Sequence, residues 1–111
     1  MPKDRAARNV VEVTNWQACY NSGNNEIVLS CKVSALDGKA TLTGGGLTLV
    51  NRAGKTLSSF YSEFDTSRTA ELALNLAASG IGVGDFVMGV ASGEAEGQHY
   101  FEEKKLQITN C

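Results

Sequence analysis

Proline and histidine are almost missing from this 111-residue chain, which has one of each, Pro2 and His99. With no proline after Pro2, nothing denies an amide hydrogen to a β-ladder or breaks a strand from within. A lone histidine excludes multi-histidine transition-metal sites, including the two-imidazole blue-copper centre that suits a small β-sandwich. Apolar runs fall far short of the roughly 20 residues that span a bilayer as a helix, so membrane insertion is not expected. One-sided charge is also missing. The formal net charge is −2, too small to gather nucleic acid or an anionic membrane surface. Residues 1–8 are basic and lack the apolar core of a signal peptide, which leaves an intracellular chain or one whose leader has been removed.

What the chain does have is alternation. Residues 26–33 put Ile27, Leu29, Cys31 and Val33 on one face and Val28, Ser30 and Lys32 on the other, the clearest core strand in the sequence. Residues 9–16 suit a first strand behind a flexible basic tail, 1–8, and residues 20–25 break it with Asn and Gly. Asp37-Gly38 marks a turn. Residues 47–50 and 55–60 flank Asn51-Arg52-Ala53-Gly54, where Gly54 takes the left-handed position of a hairpin with a bulge. Gly44-Gly45-Gly46 lacks the lysine and hydroxyl of a phosphate loop and reads as a bend or a close backbone approach.

Residues 69–80 carry two opposed signals. Alanine and leucine favour a helix that Thr66 or Ser67 would cap, yet Leu72, Leu74 and Leu76 repeat every second residue and share a face only in a strand. The period predicts a strand. Residues 86–91 and 99–109 add two more, and Glu102-Glu103-Lys104-Lys105 in the last suits a sheet edge that discourages unwanted pairing.

About seven strands, spaced roughly 8 to 14 residues apart, predict a single antiparallel β-sandwich over residues 9–111, immunoglobulin-like, with a jelly roll or small barrel as alternative. The span from Leu72 through Gly84-Asp85-Phe86-Val87-Met88-Gly89-Val90 resembles the late strands of bacterial immunoglobulin-like and fibronectin-III-like domains. Phe86 stands where such corners usually carry a tyrosine, so the hydroxyl bond of that corner cannot form, and the Cys-Trp-Cys spacing of antibody domains is absent. First and last strands are often neighbours in such folds, which implies a disulfide between Cys19 and Cys111 and leaves Cys31 as a buried thiol. Three unpaired thiols remain the alternative reading of the odd cysteine count.

Several side chains are candidates for function. His99 with Asp65 or Asp85 and a serine would make a hydrolytic arrangement, but no nucleophile elbow is present. Glu94, Glu96 and His99 group oxygen and imidazole near one turn without any recognised metal-ligand spacing, so neither a metal nor another cofactor is expected. Trp16 and Tyr20 beside the Asn21 to Asn25 loop, including Asn24, form a sugar platform or else plug the end of the sandwich. Tyr61 and Tyr100 each neighbour a phenylalanine, and both tyrosines are expected to face outward as a contact surface. The function expected is a non-enzymatic binding or structural module, extracellular, periplasmic or on a virion surface, acting through a protein partner or self-association. A carbohydrate-binding module and a small hydrolase using His99 are the alternatives.

Overall fold

Ile27, Leu29, Cys31 and Val33 point inward along β3 (Glu26–Ala35), each at most 4 % exposed. Around them the chain forms two packed sheets in the computed structural model, which describes residues 4–6, 11–36 and 41–111, with only the backbone of 4–6 and 64–67. The remaining strands are β1 (Asp4–Ala6), β2 (Val11–Asn21), β4 (Leu42–Val50), β5 (Thr56–Ser67), β6 (Thr69–Ala77), β7 (Phe86–Ala95), β8 (Gln98–Gln107) and β9 (Thr109–Asn110). One sheet runs β1-β8-β7-β4-β5 and the other β6-β3-β2-β9. Without the short β1 and β9, seven strands remain, and β2-β3-β6 packed on β5-β4-β7-β8 is the strand order of an immunoglobulin-like sandwich.

Both extra strands pair in parallel at sheet edges. Asp4–Ala6, expected within a loose tail, aligns with His99 to Phe101 of β8, because an edge strand offers unpaired N–H and C=O groups to any extended segment. The charged remainder of β8 lies past the residues that pair with β1. Thr109–Asn110 aligns with Cys19 and Tyr20, and the Cys19–Cys111 disulfide fastens the same corner across a Cα separation of 4.9 Å. A disulfide fits an oxidising compartment. Cys31 is a free, buried thiol.

Residues 69–77 form a strand, with Leu72 and Leu74 each 6 % exposed and paired opposite Cys31 and Leu29. Burying two leucines outweighs the helical preference of the intervening alanines. The 51–54 hairpin also forms. Asn51 Oδ1 accepts from the amides of Ala53 and Lys55, both at 2.9 Å, and Gly54 sits at φ 86°.

The first strand departs from expectation by continuing past Trp16 to Asn21. A bulge between Thr14 and Gln17, with Asn15 left-handed at φ 57°, absorbs the irregularity and lets pairing with β3 resume. The expected turn at Asp37-Gly38 lies outside the described residues.

Candidate functional site

On the outer face of the five-stranded sheet, Gly44 and Gly46 carry no side chain, and Tyr61 fills the space. A Cβ at Gly44 would run into the Tyr61 hydroxyl, and one at Gly46 would stand 2.9 Å from Tyr61 Cδ2. Their absence lets the phenol ring from β5 lie down across β4. Its hydroxyl reaches β7 and donates to Glu94 Oε1 at 3.3 Å. His99, opposite Glu94 on β8, stacks against the ring with centroids 5.7 Å apart and planes 25° from parallel. His99 Nε2 lies 3.6 Å from Glu94 Oε2, closing a three-residue cluster that spans four strands.

Tyr61 is still 42 % exposed, so the ring is held and also presented. Its hydroxyl is pushed up to about 12, first by the part of the ring that the sheet covers, then by the charge and hydrogen bond of Glu94, and last by Glu63. The group stays protonated and able to donate throughout the physiological range.

The ladder registers set the neighbours of this cluster. Ser92 and Phe101 share the level of Gly46 and Tyr61, and Thr48, Ser59, Val90 and Glu103 share the next. Thr48 and Ser59 hydroxyls are hydrogen-bonded at 2.7 Å. Further along, Lys105 Nζ sits 4.8 Å from the ring centroid of Phe86, itself 41 % exposed. Arg52, Phe86, Met88 and Lys105 line a shallow cleft of about 460 Å³ at this end. The face is therefore acidic around Glu63 and Glu94, apolar in the middle and basic around Arg52 and Lys105.

Of the expected contact residues, Tyr61 faces outward and Tyr100 does not. Tyr100 is 8 % exposed and lies opposite Gly93 on the inward row, so Phe101 takes the outward row instead. Alternation alone cannot tell which of two adjacent rings faces in.

Trp16 turns inward and packs over Gly89, where a Cβ would come within 2.6 Å of Trp16 Cζ3. Its Nε1 is buried without a hydrogen-bond partner. That is the plug and not the sugar platform. Tyr20 donates to Asn25 Oδ1 at 2.8 Å, Asn24 Nδ2 donates to Glu26 Oε1 at 3.1 Å, and Asn21 Oδ1 accepts from the Gly23 amide. The polar groups of this loop thus serve their own turn.

Among the described residues the hydrolytic arrangement is not assembled either. Asp85 accepts from the Gly82 amide at 2.8 Å and precedes β7, whereas His99 lies beside Glu94 at the far end of that strand. The Asp65 side chain is not described. Glu96 occupies a left-handed turn position at φ 55°, and among the described residues no three of His, Cys, Asp and Glu converge as metal ligands. Sequence reasoning missed the Tyr61–Glu94 pairing. The one available signal was the spacing of Gly44 and Gly46, which puts two bare positions on one face of a strand.

No family model matches the chain, and no curated protein does. Solved structures do. A β-glucuronidase from Parabacteroides merdae is similar at a TM-score of 0.66 and 12 % identity, over 88 % of this chain and 14 % of that one. OgpA from Akkermansia muciniphila matches at 0.56 and 10 %, over 96 % of this chain and 30 % of its own. A DUF3823 family protein from Bacteroides ovatus matches at 0.56 and 9 %, over 89 % and 55 %. In all three the matching sandwich is one part of a longer chain. Likeness at such identity establishes the fold and leaves ligand and chemistry open.

Proposed function

We propose that this chain is a non-enzymatic recognition module of an oxidising compartment, at the cell exterior, in the periplasm or on a virion surface, whose contact surface is the outer face of the five-stranded sheet. One observation carries the reading: Tyr61 is cradled by two glycines, tied to Glu94 and stacked on His99, yet 42 % of it is exposed. An aromatic ring that is already ordered loses little conformational freedom on binding. Phe86, Met88, Val90 and Phe101 extend an apolar centre that Ser, Thr, Glu and Lys residues border, the composition of a protein contact surface. His99 supports a positioning role more than catalysis, since it sits on an open sheet and not in a concave site that excludes water.

A photo-crosslinking residue at Ser59, on this face, compared with one at Glu71, on the other sheet, tests the reading in cells that make the protein. Crosslinks at Ser59 that vanish in Tyr61→Ala, with no change at Glu71, are expected. Equal crosslinking at both positions would place the contact elsewhere. Binding on a broad glycan array that depends on Tyr61 would identify a sugar, not a protein, as the ligand.

A further inference from the structure

We infer that the partner of this face is a second copy of the chain, packed face to face about a two-fold axis that crosses the strands at the level of Leu49, Gly89 and Lys104. The inference rests on the reading of the face as a contact surface and adds the identity of its occupant. Charge is arranged along the strands. On one side of the Leu49–Gly89–Lys104 level lie Glu103, Glu63 and Glu94, and on the other lie Lys105 and Arg52.

That order discriminates between the ways two such faces can meet. An axis parallel to the strands would keep each level over itself, gathering Glu63 and Glu94 of both copies at one end of the interface and Lys105 and Arg52 of both at the other. An axis across the strands reverses the order of levels. Glu103 then meets Lys105 of the other copy, Val90 meets Met88, and the Tyr61–Ser92–Phe101 level meets Phe86 and the Arg52 hairpin, each pairing occurring twice. Like charges are kept apart, and the apolar centre packs on itself in the aligned manner of stacked sheets.

The size of the face fixes the strength. The four long strands, about 4.8 Å apart and with some seven residues of each, cover roughly 450 Å² per copy, or about 900 Å² in all, just under the usual size of a specific interface. The dimer is accordingly weak, reversible and sensitive to salt.

Sedimentation of the intact, oxidised chain from low micromolar to near-millimolar concentration tests this, using Lys105→Glu and Glu103→Lys. Both positions are exposed on β8, so the fold is expected to persist, with thermal unfolding as the check. Each variant alone is expected to self-associate at least tenfold more weakly than the parent. Mixed in equal amounts, the two should form a heterodimer, because every facing pair becomes Glu against Lys. A parent chain that stays monomeric throughout would overturn the second copy while leaving the crosslinking at Ser59 to decide the contact face. Self-association that neither charge change weakens, or a mixture that gains nothing, would overturn the proposed axis.

Discussion

The Tyr61 hydroxyl on β5 donates to the Glu94 carboxylate on β7 at 3.3 Å, passing over β4 at the level where that strand carries Gly44 and Gly46. The two glycines differ in what an added methyl would meet. At Gly44 it meets chiefly the end of the Tyr61 side chain, which can lift away, whereas at Gly46 it also meets the Phe60 carbonyl oxygen at 2.5 Å, which belongs to the backbone. Gly44→Ala should therefore cost about 1 kcal/mol and release the ring, and Gly46→Ala about 2 to 3 kcal/mol by forcing the strands apart. Ultraviolet titration, with Tyr61→Phe to assign the signal, should show the phenol falling from about 12 toward its ordinary value of 10 in Gly44→Ala. A phenol still titrating near 12 would mean the cradle does not hold it.

Alkaline pH should destabilise the fold through Cys31. Burial raises its thiol from 9 to about 12, with a smaller push from Glu102 on the neighbouring inward row. Below pH 9 both folded and unfolded chains keep the proton and the thiol contributes no pH dependence. Between 9 and 12 the unfolded chain releases it and the folded chain does not, so stability falls as pH rises, by on the order of 4 kcal/mol at the upper end. Cys31→Ala should show a shallower decline over that window in denaturant titrations, and parallel curves for the two proteins would refute the assignment.

The Cys19–Cys111 bridge closes a loop with a sequence separation of 92. Loop-closure entropy at that length places the effect of Cys111→Ser at about 4 to 5 kcal/mol. The Ile108 to Cys111 segment is also held by backbone bonds, including the Cys111 amide to the Tyr20 carbonyl at 3.0 Å. Reduction should therefore lower the midpoint of thermal unfolding without abolishing it, and an unchanged midpoint under reductant would show that the unfolded chain gains nothing from the bridge's removal.

Strand β6 separates its two faces sharply. Leu74→Ala should cost about 3 kcal/mol, since Leu74 is 6 % exposed and faces the core beside Leu72. The adjacent Ala73 is exposed, so Ala73→Lys should change stability by no more than about 0.5 kcal/mol. Comparable losses in both variants, measured by denaturant unfolding, would contradict the two-residue period.

That period explains what could be read from the sequence alone. Leu72, Leu74 and Leu76 fixed their strand against the helical preference of alanine, and Asn51 with Gly54 fixed a hairpin, because each signal lies within a few residues. Face choice was not legible in Tyr100 and Phe101, since it depends on the register of β8 against β7, which puts Tyr100 on the inward row opposite Gly93. Nor was the Tyr61–Glu94–His99 cluster, whose three members come from β5, β7 and β8, lie across the glycines of β4 and meet only once the register of three ladders is set. The pairing of Asp4–Ala6 depended on an edge that exists only in the folded sheet.

Trp16 of β2 packs against Gly89 of β7 on the facing sheet, and the two should behave as one unit. Gly89→Ala places a methyl 2.6 Å from Trp16 Cζ3 and 3.3 Å from Leu29 Cδ1, too close without a shift of the indole or of the sheets, so a loss of about 2 to 3 kcal/mol is expected. Trp16→Leu removes the ring and also the buried Nε1 that has no partner, so its loss of packing is partly offset by the 1 to 3 kcal/mol or so that an unsatisfied donor costs. In the double variant the methyl fills space the indole has left. The combined loss should then be smaller than the sum of the two single losses by at least about 1 kcal/mol, a coupling that a double-mutant cycle measures directly. Strict additivity would show that Gly89 is small for the sake of Leu29 alone, and that Trp16 closes the sandwich without setting the distance between its sheets.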